Sequence, residues 1–301
     1  MTHRTLWVPN LEVLRCLPRV QRLLARGNWR PEPVFSAAHA LFRLFGVTTA
    51  RLPWAAATHA FDAGEAGGCW LRSDPVHLML GTSQAVLAPT STLDLSVAEV
   101  RSLGASLAPV FEAHGMALEQ LAANRWYLRL PDDAELELPP PIPGSQARLP
   151  SSIPPWGLLL TEAQMVLFAD PVNEVRVAEG RDVINSLWFW GAGSLPPLKR
   201  LWSLVRTEDP VVAGLALASG ARLGLPGDGG EANESELWVP AGLFEPAEAV
   251  AALDAHWLQP LEDQVREGTC ETWHIRDHHG VLTLDARALK RWWRLRHGYH
   301  L

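Results

Sequence analysis

The sequence has little cysteine and no long apolar run, and each lack excludes a class of protein. Its 301 residues include three cysteines, which form no CxxC pair and are too few for a disulfide framework, so we expect a reducing compartment. No stretch approaches the roughly 20 apolar residues of a membrane-spanning helix, and the first residues lack the charged-then-apolar pattern of a signal peptide. These absences predict a cytoplasmic protein with no membrane partner.

The familiar motifs of catalysis are absent as well. The sequence contains no GxGxxG or GxxxxGK[ST] loop for phosphates, no HExxH for zinc and no GxSxG nucleophile turn. A glycine-rich run lies at 224–230, but no helix pattern follows it to offer an N-terminal dipole, so it predicts a flexible loop. We therefore assign no catalytic residue, no metal and no cofactor from the motifs.

Tryptophan and charge are unevenly used. Fourteen tryptophans stand against two tyrosines, which predicts a wide core or a groove lined with rings. The net charge is −7, yet residues 1–51 carry eight arginines against Glu12 and Glu32, and residues 285–301 are also basic. Basic ends on an acidic body are either solvated helix faces or a surface for a protein partner. A nucleic-acid partner is not expected, because the whole chain is acidic and has no helix-turn-helix pattern.

The order of the patterns predicts an α/β fold. Strand-like and helix-like segments alternate, and two strand-like runs near the end predict a hairpin followed by a short basic helix. The sheet is therefore expected to be mixed, flanked by helices, with a C-terminal hairpin and short helix. Residues 131–155 hold eight prolines, which predicts a long surface connection within a single domain spanning 1–301.

Local signals predict the bounds and positions of single elements. Two residue pairs match the capping box at a helix start, Ser96 with Glu99 and Thr161 with Gln164. Pro18 predicts a kink or break in the first helix, and Gly268 predicts the end of a later one. The apolar run 184–190 predicts a buried central strand, and the run that begins at 236 predicts an edge strand.

The segment 161–197 carries the most distinctive polar residues. Asp170, Asn173 and Arg176 have the spacing of one helix face, and a buried strand from 184 leads into a Gly-Ala-Gly turn. A ligand site beyond the carboxyl end of a strand is the usual position in open α/β sheets. The alternative is a core strand with stacked tryptophans and a tight turn. The candidate ligand-binding residues here are Asp170, Asn173, Arg176, Asn185, Ser186, Trp190, Gly191 and Gly193.

Two further sets have side chains that bind metals or transfer protons. Asp74 and His77 in SDPVHL are candidates for a ligand site, although no second histidine or carboxylate stands at a defined spacing. The segment 274–279 contains three histidines and an aspartate, but it lies between two strand-like runs and ends in glycine. A polar hairpin turn is therefore the preferred interpretation.

These phrases resemble a known family. WLRSDPVHL, RWYLRL, EAQMVLFADPVNEVR and INSLWFWGAGSLP, in this order and followed by RWWR, are similar to the hallmark phrases of the RpfE-type regulatory proteins of proteobacteria. The resemblance implies a bacterial protein that regulates pathogenicity factors and is phosphoglycerate mutase-like.

The middle phrases also resemble archaeal-type cofactor-independent phosphoglycerate mutases. The residues that match are Asp74, His77, Asn173, Arg176, Asn185, Gly191 and Gly193, while Asp170 stands where those families often have histidine. The mutases hold two metal ions with an N-terminal Asp-Gly pair, a nucleophilic serine and later Asp and His clusters, whereas residues 1–60 here contain no aspartate. The resemblance therefore implies a shared fold or ligand pocket more than a shared reaction.

Two functions remain open at this point. The first is a non-enzymatic regulatory protein, a pseudoenzyme with a remnant pocket for a small anionic or phosphorylated ligand. The second is a divergent metal-dependent phosphomutase or phosphohydrolase. We also expect the side chain of Asn185 to be buried and bonded to the backbone of DPVNEVR, and one of Trp292 and Trp293 to pack on the sheet.

Overall fold

The computed structural model describes residues 3–80, 85–88, 93–131, 155–225, 235–240 and 253–291. Its contacts divide the chain into two compact units, one formed by 1–50 with 196–301 and one by 51–195. The divisions fall at 50/51 and 195/196 rather than inside the proline-rich connection, of which 132–154 lie outside the described residues. Trp292 and Trp293 also lie outside them. The single-domain organisation stays a prediction.

Helices and strands alternate through both units. The strands are β1 (His3–Trp7), β2 (Asn28–Pro31), β3 (Cys69–Val76), β4 (Leu78–Leu80), β5 (Ala85–Leu87), β6 (Leu118–Ala122), β7 (Arg125–Leu130), β8 (Ser186–Ser194), β9 (Leu204–Thr207), β10 (Arg222–Gly224), β11 (Glu236–Val239), β12 (Thr272–Arg276) and β13 (Gly280–Asp285). The helices are α1 (Pro18–Arg26), α2 (Ala37–Arg43), α3 (Trp54–Asp62), α4 (Val97–Glu112), α5 (Trp156–Phe168), α6 (Pro171–Ala178), α7 (Pro210–Ala218), α8 (Gln259–Glu267) and α9 (Ala286–Leu289).

The first unit contains a seven-stranded mixed sheet in the order β10-β9-β11-β1-β12-β13-β2. The first five strands of this order, β10, β9, β11, β1 and β12, run parallel. β13 pairs antiparallel with both of its neighbours, β12 and β2. The mixed α/β sheet and the terminal hairpin β12–β13 confirm the predicted fold class. The prediction that 236–239 forms an edge strand is wrong, because β11 pairs with β9 on one side and β1 on the other.

Local signals in the first unit act as predicted. Pro18 breaks the apolar stripe after a 3-10 turn (Val13–Cys16) and becomes the first residue of α1, where its missing N–H leaves no hydrogen bond unmade. Gly268 ends α8 in the left-handed conformation, with φ of 77°. Among the described helices, none is long and apolar enough to cross a membrane.

The second unit contains a four-stranded antiparallel sheet in the order β6-β7-β3-β8, with helices on both faces. Alternate residues of β8 point to opposite faces. Leu187 and Phe189 pack with residues of α4 and α5, whereas Trp188 and Trp190 pack with Trp54 of α3. The prediction of a central strand here is wrong in position, because β8 lies at the end of the strand order, although both of its faces are buried.

Of the two capping boxes predicted in the second unit, one is confirmed and the other is wrong. Ser96 and Glu99 form the predicted capping box at the start of α4. The capping box predicted at Thr161 is wrong, because α5 already begins at Trp156 and the Thr161 hydroxyl donates to the Gly157 carbonyl at 2.9 Å within the helix. The apolar residues before Thr161 are helical as well, because burying them in the core outweighs the preference of the Thr-Gln pattern for a helix start.

The Gly-Ala-Gly turn of β8 lets α3 pack closely on the strand. Gly191 has φ of 68° and Gly193 has φ of 148°. A Cβ on Gly191 would lie 2.8 Å from Cβ of Trp54 and 3.2 Å from the amide nitrogen of Ala55, and one on Gly193 would lie 3.2 Å from Cβ of Pro53. The glycines therefore serve a close approach between helix and strand.

We expect Gly191→Ala to destabilise the protein more than Gly180→Ala. Both glycines have nearly the same positive φ, so each substitution costs about 1–2 kcal/mol of backbone strain. Only the alanine at 191 adds a clash, because nothing lies within 4 Å of a Cβ at Gly180. Urea denaturation of the two variants checks this, and equal losses would contradict the close packing of α3 on β8.

Candidate anion-binding site

Asp74, a predicted ligand residue, is held by a buried ion pair. Arg72 donates to both of its carboxylate oxygens at 2.8 Å, and the indole N–H of Trp190 donates at 2.7 Å. The amide of Trp126 adds a longer bond of 3.3 Å. Burial raises the pKa of Asp74, and these donors oppose that rise. The carboxylate is thus satisfied within the protein, on the face of the sheet that α3 covers.

Asn173 ties together the three segments around it. Its side-chain amide donates to the Leu167 carbonyl at 2.7 Å and to the Ile184 carbonyl at 2.8 Å. Its oxygen accepts from the Ile184 amide at 2.8 Å. A buried amide without these partners would cost about 1–3 kcal/mol, so Asn173 fixes the turn from α6 into β8.

Arg176 is fully buried and joins α6 to α4. Its guanidinium donates to the Asp182 carbonyl at 2.6 Å, to Glu99 at 2.8 Å and to the carbonyl of Leu93. Burial raises the pKa of Glu99, but hydrogen bonds from Ser96, Arg176 and Arg181 outweigh this and lower the pKa to about 2. Arg176 is therefore engaged in an internal ion pair.

The remaining polar candidates also meet protein groups. Nδ1 of His77 lies 2.8 Å from the Val183 carbonyl, so this nitrogen carries the proton. Asn185 is half-buried, and its amide accepts from the Leu78 N–H at 2.7 Å and donates to the Leu78 carbonyl at 2.9 Å. The expected bond from Asn185 to DPVNEVR is wrong, because the side chain pairs with β4 as a strand residue would.

Ser186 has protein partners, whereas Asp170 keeps one carboxylate oxygen without a partner among the described residues. The Ser186 hydroxyl accepts from Gln164 at 3.0 Å. Asp170 caps α6, where its Oδ1 accepts from the Val172 amide at 2.9 Å, while its buried Oδ2 has no hydrogen-bond partner among the described residues. Asp170 therefore serves as the N-cap of α6.

The predicted residues do not all meet in one place. Asp74 and Trp190 lie on the α3 face of the four-stranded sheet, whereas Asn173 and Arg176 lie on the face that α4 and α5 cover. Each of these four side chains has internal partners. The geometry favours the alternative of a packed core strand, and ligand binding by this set stays a prediction.

A cavity of about 530 Å³ lies instead in the first unit, a volume in the usual range for small-molecule sites. It is placed at the carboxyl ends of the parallel strands β1 and β12, and α2 and β2 contribute the rest of its wall. Its lining side chains are mainly aromatic or charged: Trp7, Arg30, Glu32, Phe35, Arg43, Trp202, Arg276, Asp277 and His278.

The cavity lining has more positive than negative charge. Arg276 donates to both oxygens of Glu32 at 2.8 Å, and Arg30 reaches one of them at 3.0 Å. Arg43 lies over the ring of Phe35 at 4.4 Å and, among the described residues, makes no ion pair. Arg43 is therefore a cation available to an anionic ligand.

Asp277 and His278, which line the cavity, are oriented by hydrogen bonds to the backbone. The carboxylate of Asp277 accepts from the amides of Leu11, His279 and Gly280 at 2.8–3.1 Å. Nδ1 of His278 contacts the Pro9 carbonyl, so in the neutral ring Nε2 is the acceptor. The polar hairpin turn expected at 274–279 is present between β12 and β13.

The residues in this cavity were not selected from the sequence. Arg30 and Glu32 stand in RPEP, and Arg43 ends an amphipathic helix, so each resembles a solvated surface residue. The one available signal was the polar Arg-Asp-His run directly after a strand, at the end where α/β sheets place ligands.

The resemblance to the mutases implies two metal ions, and the described residues do not provide their ligands. No group of three His, Cys, Asp or Glu side chains comes together within the described ranges. Of the two carboxylates that line the cavity, Asp277 is directed at backbone amides and Glu32 at arginines. This donor set does not fit a two-metal centre, and no metal-dependent step follows from it.

Comparison with known proteins supports the mutase resemblance over part of the chain. The 2,3-bisphosphoglycerate-independent phosphoglycerate mutases of Methanosarcina barkeri and Methanosarcina acetivorans are each 34% identical over 62 residues, which is 21% of this chain. Those 62 residues span only 16% of the length of either relative. No family profile matches the sequence.

Solved structures give a wider match at low identity. The PH0037 protein of Pyrococcus horikoshii has a TM-score of 0.50 at 15% identity, covering 94% of this chain and 87% of that one. The cofactor-independent phosphoglycerate mutase of Thermoplasma acidophilum has a TM-score of 0.47 at 14% identity, covering 95% and 90%. The likeness to the PH0037 protein shows a shared fold. Membership of the RpfE-type family is not shown.

We expect Glu99→Gln to flatten the acid dependence of stability. A carboxyl with a pKa lowered from 4.5 to about 2 stabilises the fold above pH 4.5, and this stabilisation is lost as the pH falls through about 2. The variant should lose on the order of 1–3 kcal/mol at pH 7 and converge on the wild type between pH 5 and 2.

Urea denaturation at a series of pH values measures this convergence. Glu112→Gln, at an exposed position of the same helix, is the matched control and should follow the wild type. Parallel curves for Glu99→Gln and the wild type down to pH 2 would show that the ion pair with Arg176 contributes nothing measurable.

Proposed function

We propose that this phosphoglycerate mutase-like protein binds a small phosphorylated ligand in the cavity of the first unit and does not transfer its phosphoryl group. The observation that carries the proposal is the cavity itself, with three arginines around its wall and one of them, Arg43, uncommitted among the described residues. Arginine is suited to phosphate because its planar guanidinium donates two parallel hydrogen bonds.

The position of the cavity supports binding. It lies at the carboxyl ends of parallel strands, where backbone amides and following loops converge in open α/β sheets. Arg276 is the last residue of β12 and His278 lies two residues beyond it, so a rigid strand positions the backbone of both. Aromatic rings of Trp7 and Trp202 supply apolar walls, which exclude water and strengthen a charged hydrogen bond.

The side chains argue against phosphoryl transfer at this place. A transferred phosphoryl group needs a nucleophile and cations that neutralise the charge developing on its oxygens. The described lining has arginines for the charge and no serine, threonine or cysteine to attack. Its carboxylates are engaged, Asp277 by backbone amides and Glu32 by arginines, which leaves His278 as the one nucleophilic side chain, and no group of metal ligands lies beside it among the described residues. Binding without turnover is therefore the function we propose for these groups.

A metal-dependent phosphomutase remains the second candidate function. It is favoured by the 34% identity with phosphoglycerate mutases over 62 residues. It requires metal ligands beyond those that the described residues bring together. Membership of the RpfE-type regulatory family, a role in virulence regulation, a protein partner for the basic ends and a cytoplasmic location stay proposals on the sequence alone.

We expect Arg43→Gln to weaken binding of 3-phosphoglycerate about tenfold in isothermal titration. A hydrogen bond to a charged group contributes about 1.5–3 kcal/mol, and exposure of Arg43 reduces that. Arg22→Gln, an exposed change on α1, is the matched control and should bind as the wild type does. Equal affinity in both variants would contradict a binding site at Arg43.

We expect no phosphoglycerate mutase turnover, even with manganese supplied. A coupled assay with excess protein measures it, alongside metal analysis of the purified protein. Metal-dependent turnover that is lost in Arg43→Gln and kept in Arg22→Gln would establish the enzyme in place of the binding protein. Arg176 is unsuitable for this test, because its loss would disturb the core.

A further inference from the structure

Glu32 already holds the arginines of the cavity in the way an anionic ligand would. Its two oxygens accept from Arg276 at 2.8 Å each, and one accepts from Arg30 at 3.0 Å. The side chains of Glu32 and Arg276 are 29% and 30% exposed, so the pair lines the cavity and is also partly in contact with solvent. A carboxylate bridging two guanidinium groups is the arrangement that a bound carboxylate or phosphate produces.

The residues around Glu32 hold its backbone next to Arg276. Prolines stand on both sides of it, at 31 and 33, and fix two of the neighbouring φ angles. The amide of Glu32 donates to the His279 carbonyl at 2.9 Å, which ties the segment to the hairpin turn beside Arg276. Such an intramolecular group competes at an effective concentration on the order of millimolar or above.

We propose that Glu32 is an internal competitor for the ligand of this cavity. This inference rests on the proposed function and adds the class of ligand and its control. Nη2 of Arg276 donates to both Glu32 oxygens, so an incoming anion takes these hydrogen bonds only when the Glu32 carboxylate has left. The affinity is then reduced by the fraction of time that Glu32 is in place.

The competition sets the chemical class of the ligand. A free monocarboxylate offers Arg276 the same two oxygens as Glu32 and therefore gains nothing by replacing it. A phosphomonoester carries about −1.5 to −2 charge and three terminal oxygens, so it can engage Arg276 and also meet Arg43. The ligand is a phosphomonoester rather than a simple carboxylate.

Two probes with the same carbon chain test this, propyl phosphate and butyrate. Isothermal titration of the wild type should show propyl phosphate binding at least about tenfold more tightly than butyrate. Glu32→Gln removes the competing charge and keeps the shape, so both affinities should rise by the same factor, about tenfold. Glu12→Gln, which removes an exposed carboxylate paired with Arg15, is the matched control and should change neither.

Glu32→Asp gives a second measurement that retains the charge. Its shorter side chain reaches Arg276 less well, so its affinities should fall between those of the wild type and Glu32→Gln. Thermal unfolding verifies that each variant is folded.

The outcomes separate the two proposals. If wild type and Glu32→Gln bind neither probe, the proposed function fails and this inference with it. If the wild type binds propyl phosphate through Arg43 but Glu32→Gln binds it equally or more weakly, only the inference about Glu32 fails, and Glu32 then positions Arg276. Equal binding of both probes by the wild type overturns the assignment to phosphomonoesters.

Discussion

The bidentate ion pair between Arg72 and Asp74 determines how one face of the four-stranded sheet is built. Two buried charges lose hydration on folding, so the pair is tolerated only with good geometry and further hydrogen bonds. The indole of Trp190 supplies one such bond, and the guanidinium lies 5.0 Å from that ring. These hydrogen bonds fix β8 against β3, and the register between the two strands shifts just before Arg72. The turn at Gly191 then lets α3 pack closely on β8.

Buried polar groups explain why the middle phrases of the sequence resemble a ligand site. A site and a buried structural network both require charged or amide side chains among apolar ones, so they leave the same pattern in a sequence. Asn173 and Arg176 show the structural case, because every bond described for them ends on the backbone or on Glu99. The similarity to phosphoglycerate mutases in these phrases is therefore compatible with a shared way of joining helices to strands.

The sequence predicts features that depend on neighbouring residues and fails on those that depend on distant ones. The capping box at Ser96, the break at Pro18 and the hairpin before Asp285 were all predicted, since each follows from residues within a few positions. The order of the strands was not predicted, because β1 pairs with β11 and β12, which follow it by more than 200 residues in the chain. The cavity was not predicted for the same reason. Arg30, Arg43 and Arg276 come together only when β2, α2 and β12 have assembled.

Strand direction decides where a ligand is to be expected. The rule that ligands lie beyond the carboxyl ends of strands applies to open sheets of parallel strands, because their loops meet at one edge. We applied it to the end of β8, but β8 belongs to an antiparallel sheet, in which neighbouring strands end at opposite edges. The parallel strands are in the sheet of the first unit, namely β10, β9, β11, β1 and β12. Applied there, the rule leads to Trp7 and Arg276, and hence to the cavity that Glu32 partly occupies.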